Sequence, residues 1–465
     1  MKQENQSISI STPHPQGIDA IQKLALAISA VGILVLLVAW GGYTFLNAAL
    51  WLSIALGGII LGTVVYAIRL YSASPAGIKN NGVWHNTLTN RGVWGWMVGI
   101  VLTGFYCMLY WAPQWLGHSA EGNTGLTALF DPLSMFFKAK PATQWFVYGT
   151  LYTVLILSLG IKFIIKYRHV PYQRIRTIVV IFSQLILAYL IPEIMEGLNS
   201  DAPYFAKDIK YMWPLNYYFF EGWHLDNMRQ GGTLGMLYLV WGIVLFLVVT
   251  PFITYLVGKR WYCSWVCGCG GLAETAGDPW RQLSSKKLSS WKLERWMIHS
   301  VLVLVTVVTG VVLYGYFTGV GEVFGLSIYT YFSKPYGFLI GAAFSGVVGV
   351  GFYPVLGSRV WCRFGCPLAG YMGLFQRFKS KFRITTNGGQ CISCGNCSTY
   401  CEQGIDVRAY AQKGQNIVRA SCVGCGICSS VCPRGVLKLE NAPEEGRIDD
   451  NPIIIGKDGG IRLMK

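Results

Sequence analysis

Long apolar runs alternate with short polar stretches over the first 356 positions of the chain, and then the pattern stops. Eight runs are long enough to cross a hydrocarbon layer of roughly 30 Å as helices of about 20 residues. They fall near 22–40, 48–68, 92–111, 144–165, 176–195, 233–257, 296–317 and 336–356. From Gly357 the composition changes, and residues 380–440 are polar and rich in Cys and Gly, with no spanning helix. The pattern predicts an all-α polytopic membrane bundle of about eight transmembrane helices, followed by a small C-terminal α+β domain. The expected division is a segment 1–21, a transmembrane domain 22–378, a cysteine-rich domain 379–440 and a polar tail 441–465. A domain of that size is too small for a large apolar core and needs another means of cohesion.

Charge orients the bundle. The 69–91 loop carries Arg69, Lys79 and Arg91 and no acids, and the 166–175 loop carries Lys166, Arg168 and Arg174. The 258–295 loop has seven Lys/Arg against three acids, whereas 112–143 is balanced and 196–232 has an excess of acids. Basic loops stay in the cytoplasm, so the alternation predicts a multi-pass protein of a bacterial inner membrane, lipid-bound, with both termini cytoplasmic. Hydrophobic residues make up 53% and charged ones 13%, the latter about half the usual share. The 17 Trp and 26 Tyr suit aromatic belts at two interfaces. The net charge of +16 does not point to nucleic acid, because the bases sit in particular loops rather than along one patch. Residues 1–20 lack a basic n-region and a small-residue cleavage site, so no removable signal peptide is expected.

Cysteine spacing supplies the chemistry. Cys391, Cys394, Cys397 and Cys401 read C-x2-C-x2-C-x3-C, and Cys422, Cys425, Cys428 and Cys432 repeat it at a shift of 31 residues. Pro433 follows the last. This is the ligand pattern of a bacterial ferredoxin with two [4Fe-4S] clusters, in which three close cysteines wrap one cube and the fourth serves the other. Carried over, the first cluster takes Cys391, Cys394, Cys397 and Cys432, and the second takes Cys422, Cys425, Cys428 and Cys401. Zinc sites more often use spaced C-x2-C pairs or include His, and no His follows His299. Cluster ligation needs thiolates, which places these cysteines in a reducing compartment and argues against disulfides.

A second repeat lies at two helix ends. Gly258-Lys-Arg-Trp-Tyr-Cys263 matches Gly357-Ser-Arg-Val-Trp-Cys362, and each continues C-x3-C to Cys267 and Cys366. Leu272-Ala273 and Leu368-Ala369 follow at similar places. Both copies end an out-to-in helix, so the four thiols Cys263, Cys267, Cys362 and Cys366 are expected at one depth. They form a candidate third redox site, with Cys269 as a fifth thiol that spacing cannot assign. Lys259, Arg260, Arg359 and Arg363 surround this region and read first as positive-inside anchors, with thiolate or cluster stabilisation as the other reading.

These motifs together resemble the membrane polyferredoxins of periplasmic nitrate and nitrous-oxide respiration and the cytochrome oxidase accessory proteins. The stretch Cys401-Glu-Gln-Gly-Ile-Asp-Val-Arg408 is most similar to the accessory branch. The resemblance covers roughly 233–440, and Gly268 and Glu402 stand where the family commonly has Pro. It implies an electron carrier, an oxidoreductase component passing electrons between a cytoplasmic donor or the quinone pool and a membrane or exported redox partner, such as a respiratory enzyme subunit. The alternative it implies is an accessory factor that reduces or matures a respiratory metalloenzyme.

Other residues carry less. Glu193 and Glu196 lie at the outer end of the fifth run and are candidates for proton exchange at a quinol site, with a solvated helix end as the rival. The aromatic run Tyr211–Phe220 reads as a surface loop. His299 alone cannot supply a bis-His haem. No P-loop, Rossmann fingerprint or Ser/His/Asp arrangement is present, so no catalytic side chain is expected.

Overall fold

The structure, a computed structural model, describes residues 18–72, 92–199, 219–441, 453–455 and 461–463. Among these, seven helices are long and apolar enough to cross a membrane. They are α1 (Ala20–Trp40), α2 (Ala48–Ser72), α3 (Val93–Trp111), α5 (Gln144–Lys166), α6 (Pro171–Leu198), α7 (Gly232–Val257) and α9 (Leu288–Thr318). The shorter α4 (Gly125–Lys138) and α8 (Gly268–Thr275) lie between them, and α10 (Pro367–Phe378) follows. Apolar residues surround the spanning helices on all sides, as lipid contact allows. Leu34, Ile100, Leu237 and Val303 face outward on four of them.

The first two runs form an antiparallel hairpin. Asp19 caps α1 by accepting the Gln22 N–H at 2.6 Å, while Gln22 Oε1 accepts the Asp19 N–H at 2.9 Å. Small residues let the two backbones touch: a Cβ on Gly32 would strike the Ala55 carbonyl, and one on Gly62 would strike Ser29.

The eighth expected span differs from the others. Its helical path runs unbroken from 328 to 351, but mostly in wide π turns, Tyr329–Ser333 and Gly337–Gly351. Five glycines between 337 and 351 weaken the α form. They also admit close contact with α3, since a Cβ on Gly346 would press on Tyr106 and Tyr110 and one on Gly351 on Thr103. The path still returns across the bundle. It begins with Ile328 against Gly315 near the end of α9, and its other end meets Trp361 at the second C-x3-C motif.

The 112–143 stretch is not a plain loop. It folds into a short turn, Pro113–Leu116, and then α4, whose Leu126, Leu129 and Phe130 are buried in the core of α1, α2, α3 and α5. The aromatic run Tyr211–Phe220 and the tail from 442 lie mostly outside the described residues.

After α10 the chain makes β3 (Phe382–Thr386), which pairs antiparallel with β4 (Leu437–Asn441) and brackets the cysteine-rich domain. Two earlier strands, β1 (Glu322–Val323) and β2 (Leu326–Ser327), turn the chain between α9 and the π segment. The domain's core is Phe382, Ile384, Ile405, Val407, Ile417 and Leu437 packed on the sulfurs of Cys397, Cys422 and Cys428. Few other apolar side chains are available, so the cysteines themselves fill the centre.

Candidate metal centres

The 31-residue repeat is a repeat of backbone shape. Ser393, Gly395 and Gly404 adopt φ of +59°, +81° and +66°, and Gly424, Gly426 and Gly435 adopt +63°, +76° and +64°. Gly395 and Gly426 each start a single helical turn that carries Cys397 or Cys428. The left-handed residues wrap the chain tightly round the sulfurs.

The sulfurs segregate into two groups. Cys391, Cys394, Cys397 and Cys432 line one small cleft. Burial pushes the Cys397 thiol up to about 12, and its charged neighbours are Cys394, Cys432 and Cys391. Burial likewise pushes up Cys428, whose neighbours are Cys425, Cys422 and Cys401, with Cys397 beyond them. The structure thus brings Cys391, Cys394, Cys397 and Cys432 together, and Cys428 together with Cys425, Cys422 and Cys401. Backbone N–H groups of Gly424, Ile427, Gln403 and Ile405 donate to the sulfurs of Cys422, Cys425 and Cys401, which favours thiolates. Among the described residues no three Cys, His or acidic side chains converge tightly enough for a lone metal ion. An all-sulfur donor set spread round a cavity fits a cube of irons rather than a single zinc.

The two halves sit differently. The second is pressed against the bundle. The Tyr172 hydroxyl donates to the Gly424 carbonyl at 2.8 Å, Gln173 to Cys425 at 2.9 Å, Ser264 to Val423 at 2.7 Å and Gln376 to Cys422 at 2.7 Å. Phe163 and Tyr167 pack on Tyr400, Ile427 and Val431. The first half faces away, with Cys394 and Ile392 exposed.

The C-x3-C motifs converge. Gly258 and Gly357 end α7 and the Tyr353–Leu356 turn with φ of +71° and +96°, so each motif leaves its helix through the same left-handed turn. Cys263, Cys267 and Cys362 all lie within electrostatic range of Cys366, and Cys267, Cys362 and Cys366 of Cys269. Cys263 is buried, Cys267, Cys362 and Cys366 are half-buried and Cys269 is exposed. Cys269 donates its S–H to Cys267, which draws Cys267 down into the thiolate range, helped by the Gly270 N–H and Arg359. On the opposite side Cys263 and Cys366 pack with Val423 and Cys425 of the second ferredoxin half.

A buried ion network joins these centres. Arg359 Nη2 reaches Glu402 at 2.9 Å and Glu274 at 2.5 Å, and its Nη1 donates to the Cys263 carbonyl at 3.3 Å and to Cys362 Sγ at 3.7 Å. Arg281 lies 3.4 Å from Glu402 and 2.9 Å from Asp278, which also holds Lys166 at 2.6 Å. Arg176 pairs with Glu274. Four cations thus face three carboxylates, all buried. The surplus positive charge lies beside thiols, and a thiolate or an anionic cluster balances it.

Lys259, Arg359 and Arg363 are buried and therefore are not interfacial anchors. The Lys259 backbone N–H donates to Gln376 Oε1 at 2.8 Å, Arg363 pairs with Glu294 at 2.6 Å, and the half-buried Arg260 lies over the Phe382 ring at 4.6 Å. Sequence reasoning missed Arg176, Glu274, Asp278 and Arg281. The available signal was charge within apolar or Gly-rich context, and Glu402 in place of a proline. Glu193 and Glu196 both pair with the buried Lys138, at 2.9 and 3.2 Å, in an ion cluster where α6 meets α4.

Comparison with known proteins agrees with this geometry. The family described as "4Fe-4S binding domain" matches at 240–290 and again at 337–385, one C-x3-C motif in each, and "4Fe-4S dicluster domain" matches at 390–437. Both descriptions fall on the cysteine motifs described above. The Escherichia coli (strain K12) protein YccM, provisionally described as an electron transport protein, is 27% identical over 209 residues, 40% of this chain and 55% of its own length. The match therefore spans about half of that relative. No solved structure matches.

Proposed function

We propose that this chain is an integral iron–sulfur electron carrier of a bacterial inner membrane, relaying electrons between a cytoplasmic redox protein and the interior of the bilayer. The observation that carries the reading is the order of the thiol groups. The Cys397 group adjoins the Cys428 group, and Cys425 of the latter packs with Cys263 and Cys366. In this reading Cys391, Cys394, Cys397 and Cys432 hold one [4Fe-4S] cluster, and Cys401, Cys422, Cys425 and Cys428 hold the second. Cys263, Cys267, Cys362 and Cys366 hold a third iron–sulfur centre, with Cys269 as the donor that keeps Cys267 ionised. When bound, the clusters supply one-electron exchange.

The protein's own residues do the rest. Tyr172, Gln173, Ser264 and Gln376 fix the ferredoxin domain against the helix ends, and Arg281 and Arg359 offset negative charge between the second and third groups. Beyond them Cys269 faces Tyr106, Tyr148, Tyr152 and Tyr353. Tyr106 donates to Tyr148 at 3.3 Å and Tyr152 to Gln184 at 3.2 Å, and this hydroxyl cluster is a polar place for a quinone headgroup inside the bilayer, which supports the quinone pool as the membrane-side partner. The test is iron and sulfide analysis with an EPR redox titration of wild type against Cys263→Ala/Cys362→Ala. The expected result is two ferredoxin-type signals in both proteins and a third lost from the variant. Identical spectra would remove the third centre, and iron-free or zinc-loaded wild type would remove the function.

A further inference from the structure

The internal repeat contains its own record of how such a half-domain docks. In the second half, Val423 follows the first cysteine of its run and is 1% exposed, buried against Leu368 and Met372. The carbonyls of Cys422, Val423, Gly424 and Cys425 each accept a bundle side chain. Shifted by 31 residues, Val423 becomes Ile392, which is 50% exposed. The carbonyls of Cys391, Ile392, Ser393 and Cys394 accept no hydrogen bond among the described residues. The same apolar knob and the same row of acceptors therefore stand without an occupant, at the mouth of the first cysteine cavity.

Charge identifies the occupant. Arg408 and Arg434 line that mouth beside Ile392, Cys394 and Pro433, and both are exposed, as is Lys413 further along the domain. Neither arginine makes an ion pair with any described residue. Residues 379–441 carry eight Lys/Arg and three acids, and none of the acids is free. Glu402 is buried between Arg281 and Arg359, Asp406 accepts from Ser398 at 2.7 Å, and Glu440 accepts from Thr385 at 2.6 Å. An apolar centre with a cationic rim suits a small, transient interface that is steered electrostatically.

We infer that the Ile392–Cys394 edge is the docking port for a small acidic soluble electron carrier, a ferredoxin- or flavodoxin-like protein whose own centre lies near its surface. This rests on the iron–sulfur reading above. One electron leaves the reduced partner, which is oxidised by one equivalent, and enters the group held by Cys391, Cys394, Cys397 and Cys432. No bond forms or breaks, and no proton is required.

The test uses the full chain in detergent or nanodiscs and a pre-reduced acidic two-cluster ferredoxin as the probe, followed by stopped-flow absorbance. Arg408→Glu/Arg434→Glu is expected to slow the second-order reduction about 10- to 100-fold at low ionic strength, with the difference shrinking as salt rises. Ile392→Ser is expected to slow it several-fold at every ionic strength. Lys438→Glu, an exposed change outside the mouth, is expected to have less than a threefold effect. Reduction of all variants by the methyl viologen radical, a small cation, should not slow. If the EPR signals are intact and the double charge reversal leaves the ferredoxin rate and its salt dependence unchanged, the port is wrong. If wild type itself shows no cluster signals, the failure belongs to the iron–sulfur reading instead.

Discussion

The two halves of the cysteine-rich domain share spacing, backbone shape and left-handed positions, yet the loop that opens the first lies in water and the loop that opens the second lies against the membrane bundle. Gly395 and Gly426 show the contrast. A Cβ on Gly395 would meet only the tip of Arg408, at 3.9 Å, whereas one on Gly426 would run into Tyr172 at 2.9 Å. Local chain geometry is set by the repeat. The difference between the halves comes from what the bundle brings to one side: Tyr172, Gln173 and the buried arginines.

The largest blow to that asymmetry should come from Glu402→Gln. It leaves Arg281 and Arg359 buried without their shared anion, and breaking such a pair costs about 3–5 kcal/mol. Thermal unfolding in detergent should show that loss. An EPR titration should also show the second cluster's potential raised by several tens of millivolts, while the first cluster's barely moves. Glu402→Asp should restore much of both.

Next, Gly426→Ala should cost more than Gly395→Ala. Both force an L-residue into the left-handed region, worth about 1 kcal/mol, but only Gly426→Ala also displaces Tyr172. Limited proteolysis should therefore release the domain from Gly426→Ala and spare Gly395→Ala. Equal sensitivity would mean that the two halves are anchored alike.

The smallest effect concerns acid. Burial opposes ionisation of Asp278, but Lys166 and Arg281 outweigh it and hold the carboxyl at about 2 rather than 3.8. The folded protein therefore binds this proton more weakly than the unfolded chain. The resulting stabilisation, roughly 2 kcal/mol, is complete above about pH 4 and is lost as pH falls toward 2. Asp278→Asn should lower stability at pH 7 and flatten the acid limb of the unfolding profile.

Much of this was legible in the sequence. Hydropathy located the spans because lipid solvation demands nothing subtler than length and apolarity. Cysteine spacing marked a 31-residue repeat, and the repeat recurs as matching left-handed positions in the backbone. The match of Gly258-x-Arg to Gly357-x-Arg marked a shared left-handed turn. What escaped was tertiary. The π winding of 337–351 depends on Tyr106, Tyr110 and Thr103 of a distant helix, and α4 depends on a core made by four other elements. The burial of Lys259, Arg359 and Arg363 went against a rule that counts charges near helix ends without knowing that a domain will cover them. Glu274 and Arg176 looked like stray charges until the fold put them within reach of one another.

Glu402 lies downstream of every arginine it neutralises, which imposes an order on biogenesis. As the ribosome extends the chain, Arg281 and Arg359 are in place at the membrane surface while the carboxylate they share is still untranslated. The helix-end thiols cannot be sealed until the ferredoxin domain has emerged and swung back. Whatever must reach Cys263, Cys267, Cys362 and Cys366 therefore has a window that closes when Glu402 docks.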